Sequence, residues 1–215
     1  MLDTLALDGV WMDYLHWHAQ FEDPYPVFIK TCFCDGCLSA FQSATDIDVQ
    51  GNDVPEKSKW IFMNAVRAWE DWRVSVICDW GSEFKEHVKG RRPEGRVGAF
   101  HCAWKDEDLG GVRGRCLGLD FQVLSPYVDI FSPMVYHGRS GKRPEYVEKF
   151  VSYFGDRYVH DDRPDVWPIV KAHDEFEQVL HYGMSVRSTG VTMFTIKSVA
   201  EDPGKVAAMR RVYSG

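Results

Sequence analysis

The sequence predicts an α/β fold in which parallel strands are joined by helical crossovers. Two observations carry that prediction. Five short apolar runs recur along the 215 residues, most of them nearly continuous rather than alternating, as expected of strands buried on both faces. Amphipathic stretches separate them in the order β-α-β-α-β-α-β-α, which demands crossovers between parallel strands.

Taken in order, the strands are expected at Gly9–Leu15, Arg96–Cys102, Val128–Tyr136, Asp165–Lys171 and Gly190–Ile196. The clearest helix is expected from Val54 to His87, where Ile61, Ala65, Ala68, Trp72, Val76, Trp80, Phe84 and Val88 form one apolar stripe. Asp53 followed by Glu56 reads as a capping box, and Gly90 as the stop. A second helix begins at Pro144, carries Tyr146, Val147, Phe150, Val151 and Phe154 on one face, and is expected to stop at Gly155. A third is read from Glu175 to about Val186, and a fourth from Pro203 to Val212 with Asp202 as its cap. Shorter helical turns are expected near Cys37–Ala44 and Leu117–Leu124. Residues 17–53 read as a long loop within a single domain spanning residues 1–215.

Composition narrows the function classes. A net charge of −7 offers no basic footprint for nucleic acid or an anionic membrane. No apolar stretch reaches the roughly 18 residues of a membrane span, and the first residues lack a signal-peptide pattern. Six cysteines in a chain of this length do not form a secreted disulfide framework, so a reduced, cytoplasmic protein is expected. No Gly-rich phosphate loop and no Gly-x-Ser-x-Gly elbow is present.

Polar and aromatic residues gather where the strands end. The first strand yields Asp13, Tyr14, His16, Trp17 and His18; the second, His101, Trp104 and Asp106; the third, Tyr136, His137 and Arg139. The fourth yields Lys171, His173, Asp174 and Glu175, and the last Thr195, Lys197 and Ser198. If the strands run parallel, these groups converge on one cleft at the end where α/β barrels carry catalytic residues. The charged strand starts, Asp8, Arg96, Asp129 and Asp165, fall at the opposite end and read as stabilising. Two carboxylates across a cleft suit glycoside hydrolysis, with Asp13 as general acid/base and Asp174 or Glu175 as nucleophile or second base. The alternative for Asp174 and Glu175 is a cap and a first-turn acid of the next helix. His16, Trp17, His18, His101, Trp104, Tyr136, His137, Lys171 and His173 are the expected substrate-binding residues.

Cys32, Cys34 and Cys37 place three thiols within six residues, with Asp35-Gly36 as the turn. Thiolates so spaced can wrap a structural zinc, although such a site takes four ligands. The alternative is three free thiols packing the loop.

Three segments, Asp8–Tyr14, Cys32–Phe41 and Asp129–Tyr136, resemble catalytic-domain segments of bacterial glycoside hydrolases of the (β/α)-barrel type. The Cys-x-Cys-x-x-Cys run is also similar to the zinc cluster of family 42 β-galactosidases, although the Asn-Glu pair of that family is missing here. The resemblance implies a partial TIM-like (β/α) barrel of about five parallel strands, beginning at strand four and lacking the first three. It places Asp13 at the strand-four carboxylate position and Asp174 or Glu175 near strand seven. It implies a saccharide substrate, no required cofactor and a structural zinc; two unpaired edges of a five-stranded sheet leave a self-standing open fold, a fragment of a longer chain, or, as expected here, a homo-oligomer that covers them. A non-catalytic carbohydrate-binding or interaction protein, and a lactone or ester hydrolase, are the alternative readings.

Overall fold

The computed structural model describes residues 4–20, 25–160, 164–172, 175–185 and 187–214. In chain order the first elements are β1 (Gly9–Met12), β2 (Ala19–Gln20), β3 (Val27–Phe28), α1 (Asp35–Thr45), α2 (Val54–Asn64) and α3 (Val66–Arg91). Next come β4 (Arg96–Cys102), α4 (Val112–Arg115), α5 (Phe121–Leu124), β5 (Ile130–Met134) and α6 (Tyr146–Tyr158). The last are β6 (Asp165–Val166), β7 (Ile169–Lys171), α7 (Phe176–Gly183), β8 (Thr192–Phe194), α8 (Ile196–Ala200) and α9 (Pro203–Tyr213). These elements fall into two compact units: Met1–Leu15, Glu83–Lys105 and Phe121–Gly215 form the first, and His16–Ser82 with Asp106–Asp120 the second.

The first unit holds the parallel sheet, in the order β1-β4-β5-β7-β8, with β6 paired to β5. Five parallel strands with helical crossovers curl into a half-barrel, the partial TIM-like barrel expected from the sequence. The fourth predicted strand divides into β6 and β7 at Trp167-Pro168, because proline has no N–H for the ladder. Pairing survives on both sides of the break. The Trp167 N–H donates to the Phe131 carbonyl at 2.9 Å, and the Val135 N–H to the Ile169 carbonyl at 2.9 Å.

Strand register sorts the side chains onto two faces. Val97, Ala99 and His101 of β4, Phe131 of β5 and Val170 of β7 are buried on the face that packs against Phe121 and α6. The other face carries Trp11 beside Gly98, Phe100 beside Ser132, and Lys171 beside Phe194. Helix α6 passes Gly155, its expected stop, and ends at Tyr158. Tyr158 is buried, with its ring 4.9 Å from Phe154 and 5.5 Å from Phe121. Burying an aromatic ring there outweighs the roughly 1 kcal/mol cost of a mid-helix glycine.

The second unit contains the β2–β3 hairpin, α1, α2 and the first part of α3. The stretch 17–53 therefore includes two short strands and an 11-residue helix. The single helix expected from Val54 to His87 is two helices, broken at Ala65 (φ −140°, ψ 23°). Ile61, Ala65, Trp69 and Trp72 from both sides of the break join Leu38, Phe41 and Val49 in one core. No helix among the described residues is long and apolar enough to cross a membrane.

Candidate functional site

In the first unit, β1 ends in Asp13, whose exposed carboxylate accepts the Tyr14 N–H at 2.9 Å. Tyr14 has φ 54°, a left-handed conformation that β-region residues avoid, and it turns the chain away from the strand axis. Asp13 thus stands just past the C-terminal end of β1, beside this positive-φ residue.

The ends of β5, β7 and β8 contribute a second group. Lys171 Nζ lies 5.3 Å from the Tyr136 ring centroid, a cation–π contact, and Tyr136 lies 5.9 Å from Phe194. His137 is buried, with Nε2 4.0 Å from Glu175 Oε2. Glu175 occupies the N-cap position of α7 but makes no capping hydrogen bond with its side chain. Its half-exposed carboxylate lies 4.0 Å from His137 Nε2. Trp104 follows β4 and is half-buried. His173 and Asp174 lie outside the described residues.

His101 is only 2% exposed and packs among Phe121, Phe131 and Phe154 at centroid distances of 4.2, 5.6 and 5.2 Å. Strand parity explains this placement. His101 shares its face with Val97 and Ala99, toward the helices, whereas Lys171 lies on the opposite face. The same parity picks out residues that a reading of strand ends alone passes over. Trp11 donates from Nε1 to Ser132 Oγ at 3.0 Å and packs against Phe100 and Trp167, so aromatic rings floor the inner face beneath the strand ends.

His16, Trp17 and His18 belong to the second unit. Trp17 anchors its packing: the backbone N–H donates to the Leu117 carbonyl at 3.0 Å, and the indole N–H to the Arg73 carbonyl at 2.9 Å. The Trp17 ring also lies 5.0 Å from the buried Arg73 guanidinium, which donates to the carbonyls of Arg115 and Cys116. Burial lowers the Arg73 pKa from its ordinary value, against the raising influence of Cys116, Glu70 and Cys37. His16 Nδ1 is 2.7 Å from the Trp17 carbonyl, and His18 is exposed.

The thiols of Cys32, Cys34 and Cys37 have sulfur atoms within 4.8 Å of one another, close enough to share one metal ion. Among the described residues no fourth cysteine, histidine or carboxylate joins them. The cluster could hold a metal ion through three thiolates, one fewer than the four protein ligands of a closed structural zinc site.

No family model and no curated protein matches this chain. Among solved structures, the chain is similar to the glycoside hydrolase domain of PgaB (BpsB) from Bordetella bronchiseptica. That match has a TM-score of 0.65 at 14% identity and covers 96% of this chain and 57% of the other. Bee venom hyaluronidase also matches, with a TM-score of 0.44 at 14% identity, over 81% of this chain and 59% of that one. The chain thus spans little more than half the length of either structure. The likeness to PgaB is one of architecture, and the chain has a glycoside-hydrolase-like fold.

Proposed function

We propose that the protein is a glycoside hydrolase-type enzyme that cleaves a neutral or weakly charged saccharide with a pair of carboxylates. One observation carries the reading. Asp13 and Glu175 each follow the C-terminal end of a parallel strand, β1 and β7, at the end where barrel enzymes hold their catalytic groups. The fold likeness to a domain named as a glycoside hydrolase supports it.

In this reading Asp13 protonates the leaving oxygen, and Glu175, or Asp174 beside it, attacks the anomeric carbon or activates water. Three strand steps separate β1 from β7 in the sheet order, roughly 14 Å if flat at ~4.8 Å per step. The reading requires the curl of the sheet and the reach of the two side chains to shorten that gap. A final carboxyl separation of about 5–5.5 Å gives retention of configuration, and about 6.5–9.5 Å inversion. Tyr136, Phe194 and Trp104 offer ring faces to a sugar, Lys171 offers a donor to its hydroxyls, and buried His137 positions Glu175. The chemistry requires no cofactor. Association between copies belongs to the same reading, because β1 and β8 end the sheet order and sheet edges invite pairing.

The test is turnover of a panel of aryl glycosides by the wild type, Asp13→Asn and Glu175→Gln, with folding checked by circular dichroism. Each variant is expected to lose at least about 10²-fold in kcat, the range for removal of a general acid or base. Wild-type rates in both variants would overturn the assignment. The anomeric configuration of the first product, followed by NMR, separates retention from inversion.

A further inference from the structure

The cluster formed by Cys32, Cys34 and Cys37 has an asymmetry that a metal site does not require. Cys34 is the N-cap residue of α1 and is exposed. Cys37 sits three positions later, in the first turn of the same 11-residue helix, and packs against the core that contains Trp69 and Trp72. Cys34-Asp35-Gly36-Cys37 is thus a Cys-x-x-Cys unit at a helix N-terminus, with its first thiol open to solvent and its second turned inward. Phe33, stacked on Trp69 at 4.9 Å, anchors the approach to this turn.

We propose that Cys34 and Cys37 form a reactive dithiol that undergoes thiol–disulfide exchange with low-molecular-weight disulfides of the glutathione class. The Cys34 thiolate attacks one sulfur of the disulfide, forming a mixed disulfide and releasing one equivalent of thiolate. Cys37 then loses its proton and attacks the Cys34 sulfur, closing the Cys34–Cys37 disulfide and releasing the second equivalent. Two protein thiols are oxidised and one small disulfide is reduced to two thiols, so electrons and protons balance.

The electrostatics of the turn follow the same order. The backbone N–H of Cys37 and the neighbouring thiols favour the charged form of Cys34 and lower its pKa. Burial, followed by hydrogen bonding and charge repulsion from Cys34 and Cys32, pushes the Cys37 thiol up to about 12. Conversion of Cys34 to a mixed disulfide removes its negative charge from beside Cys37. Cys32 is held differently: its sulfur accepts the Cys34 backbone N–H at 3.4 Å.

This inference is independent of the saccharide reading, and its test involves no turnover. The full chain is equilibrated in glutathione buffers from reducing to oxidising, quenched by alkylation, and analysed by intact mass and peptide mapping. The wild type and Cys32→Ser are expected to lose two hydrogens, with the bond mapped to Cys34–Cys37. Cys37→Ser is expected to stop at one glutathione on Cys34, and Cys34→Ser to react at least about tenfold more slowly. All thiols remaining reduced in the most oxidising buffer, or a bond mapped to Cys32, would overturn the proposal. Equal reactivity of Cys34→Ser and the wild type would also overturn it. So would stoichiometric uptake of Zn²⁺ by the reduced chain into a form that resists exchange.

Discussion

Asp129, at the foot of β5, shows how one side chain can tie the sheet to a helix. Its carboxylate accepts the Val97 backbone N–H at 2.9 Å and pairs with Lys85 and Lys89 of α3, each at 3.2 Å. Burial alone would raise its pKa, but the Val97 N–H and the two lysines outweigh burial and hold it below the ordinary value of 3.8. A carboxylate lowered in the folded state contributes stability that is present above its unfolded pKa and lost as pH falls through the folded pKa. Asp129→Asn is therefore expected to cost about 1–3 kcal/mol near pH 7 by denaturant unfolding. The difference from wild type should shrink as the acid limb below about pH 4 is entered; a difference independent of pH there would count against this account. The charged strand starts were legible as stabilising groups. Arg96 pairs with Asp165 across the sheet, and Asp129 with α3, at the end opposite the candidate carboxylates.

At the scale of elements, the helix boundaries that were legible are those set by local chemistry. Asp53 accepts the Glu56 N–H at 2.9 Å and Glu56 in turn accepts the Asn52 N–H at 2.8 Å, so α2 starts at its predicted place. Asp202 caps α9 by accepting the N–H groups of Gly204 and Lys205. Asp53→Ala should cost about 1 kcal/mol in thermal or chemical unfolding. The boundaries set by packing were not legible: Ala65 interrupts an unbroken apolar stripe, and α6 runs through Gly155 because Tyr158 has rings to pack against. The same limit applies to Gly98 in β4. Nothing local marks this glycine as special, yet an added Cβ would overlap the Trp11 indole, which lies across Gly98 to reach Ser132. Gly98→Ala is expected to destabilise by about 1–3 kcal/mol through overpacking, with a change in tryptophan fluorescence as Trp11 moves. An unaltered emission spectrum would argue against that contact.

At the scale of the whole molecule, β1 and β8 are the two end strands of the sheet among the described residues. Phe194 of β8 and Ile196 just after it are 56% and 80% exposed. Strand edges with apolar neighbours are templates for association. Sedimentation velocity is accordingly expected to show a dimer or larger species across the micromolar range. A single monomeric boundary at every concentration would remove the association between copies from the functional reading and leave the carboxylate pair to be judged on its own turnover test.

The sequence by itself determined the fold class, the five strands and the end of the sheet at which the candidate groups gather. Those features follow from apolar periodicity and from the residue types at strand ends, which are local and survive in any parallel arrangement. Only the tertiary structure decided where each of those side chains lies. Register and parity sent His101 into an aromatic core while leaving Lys171 on the opposite face beside Phe194. Packing also made Trp17 an anchor of the second unit and turned Glu175 toward His137. Side-chain direction depends on which strand lies beside which, and on the helix packed behind them. One chain read in one dimension does not contain those partners side by side.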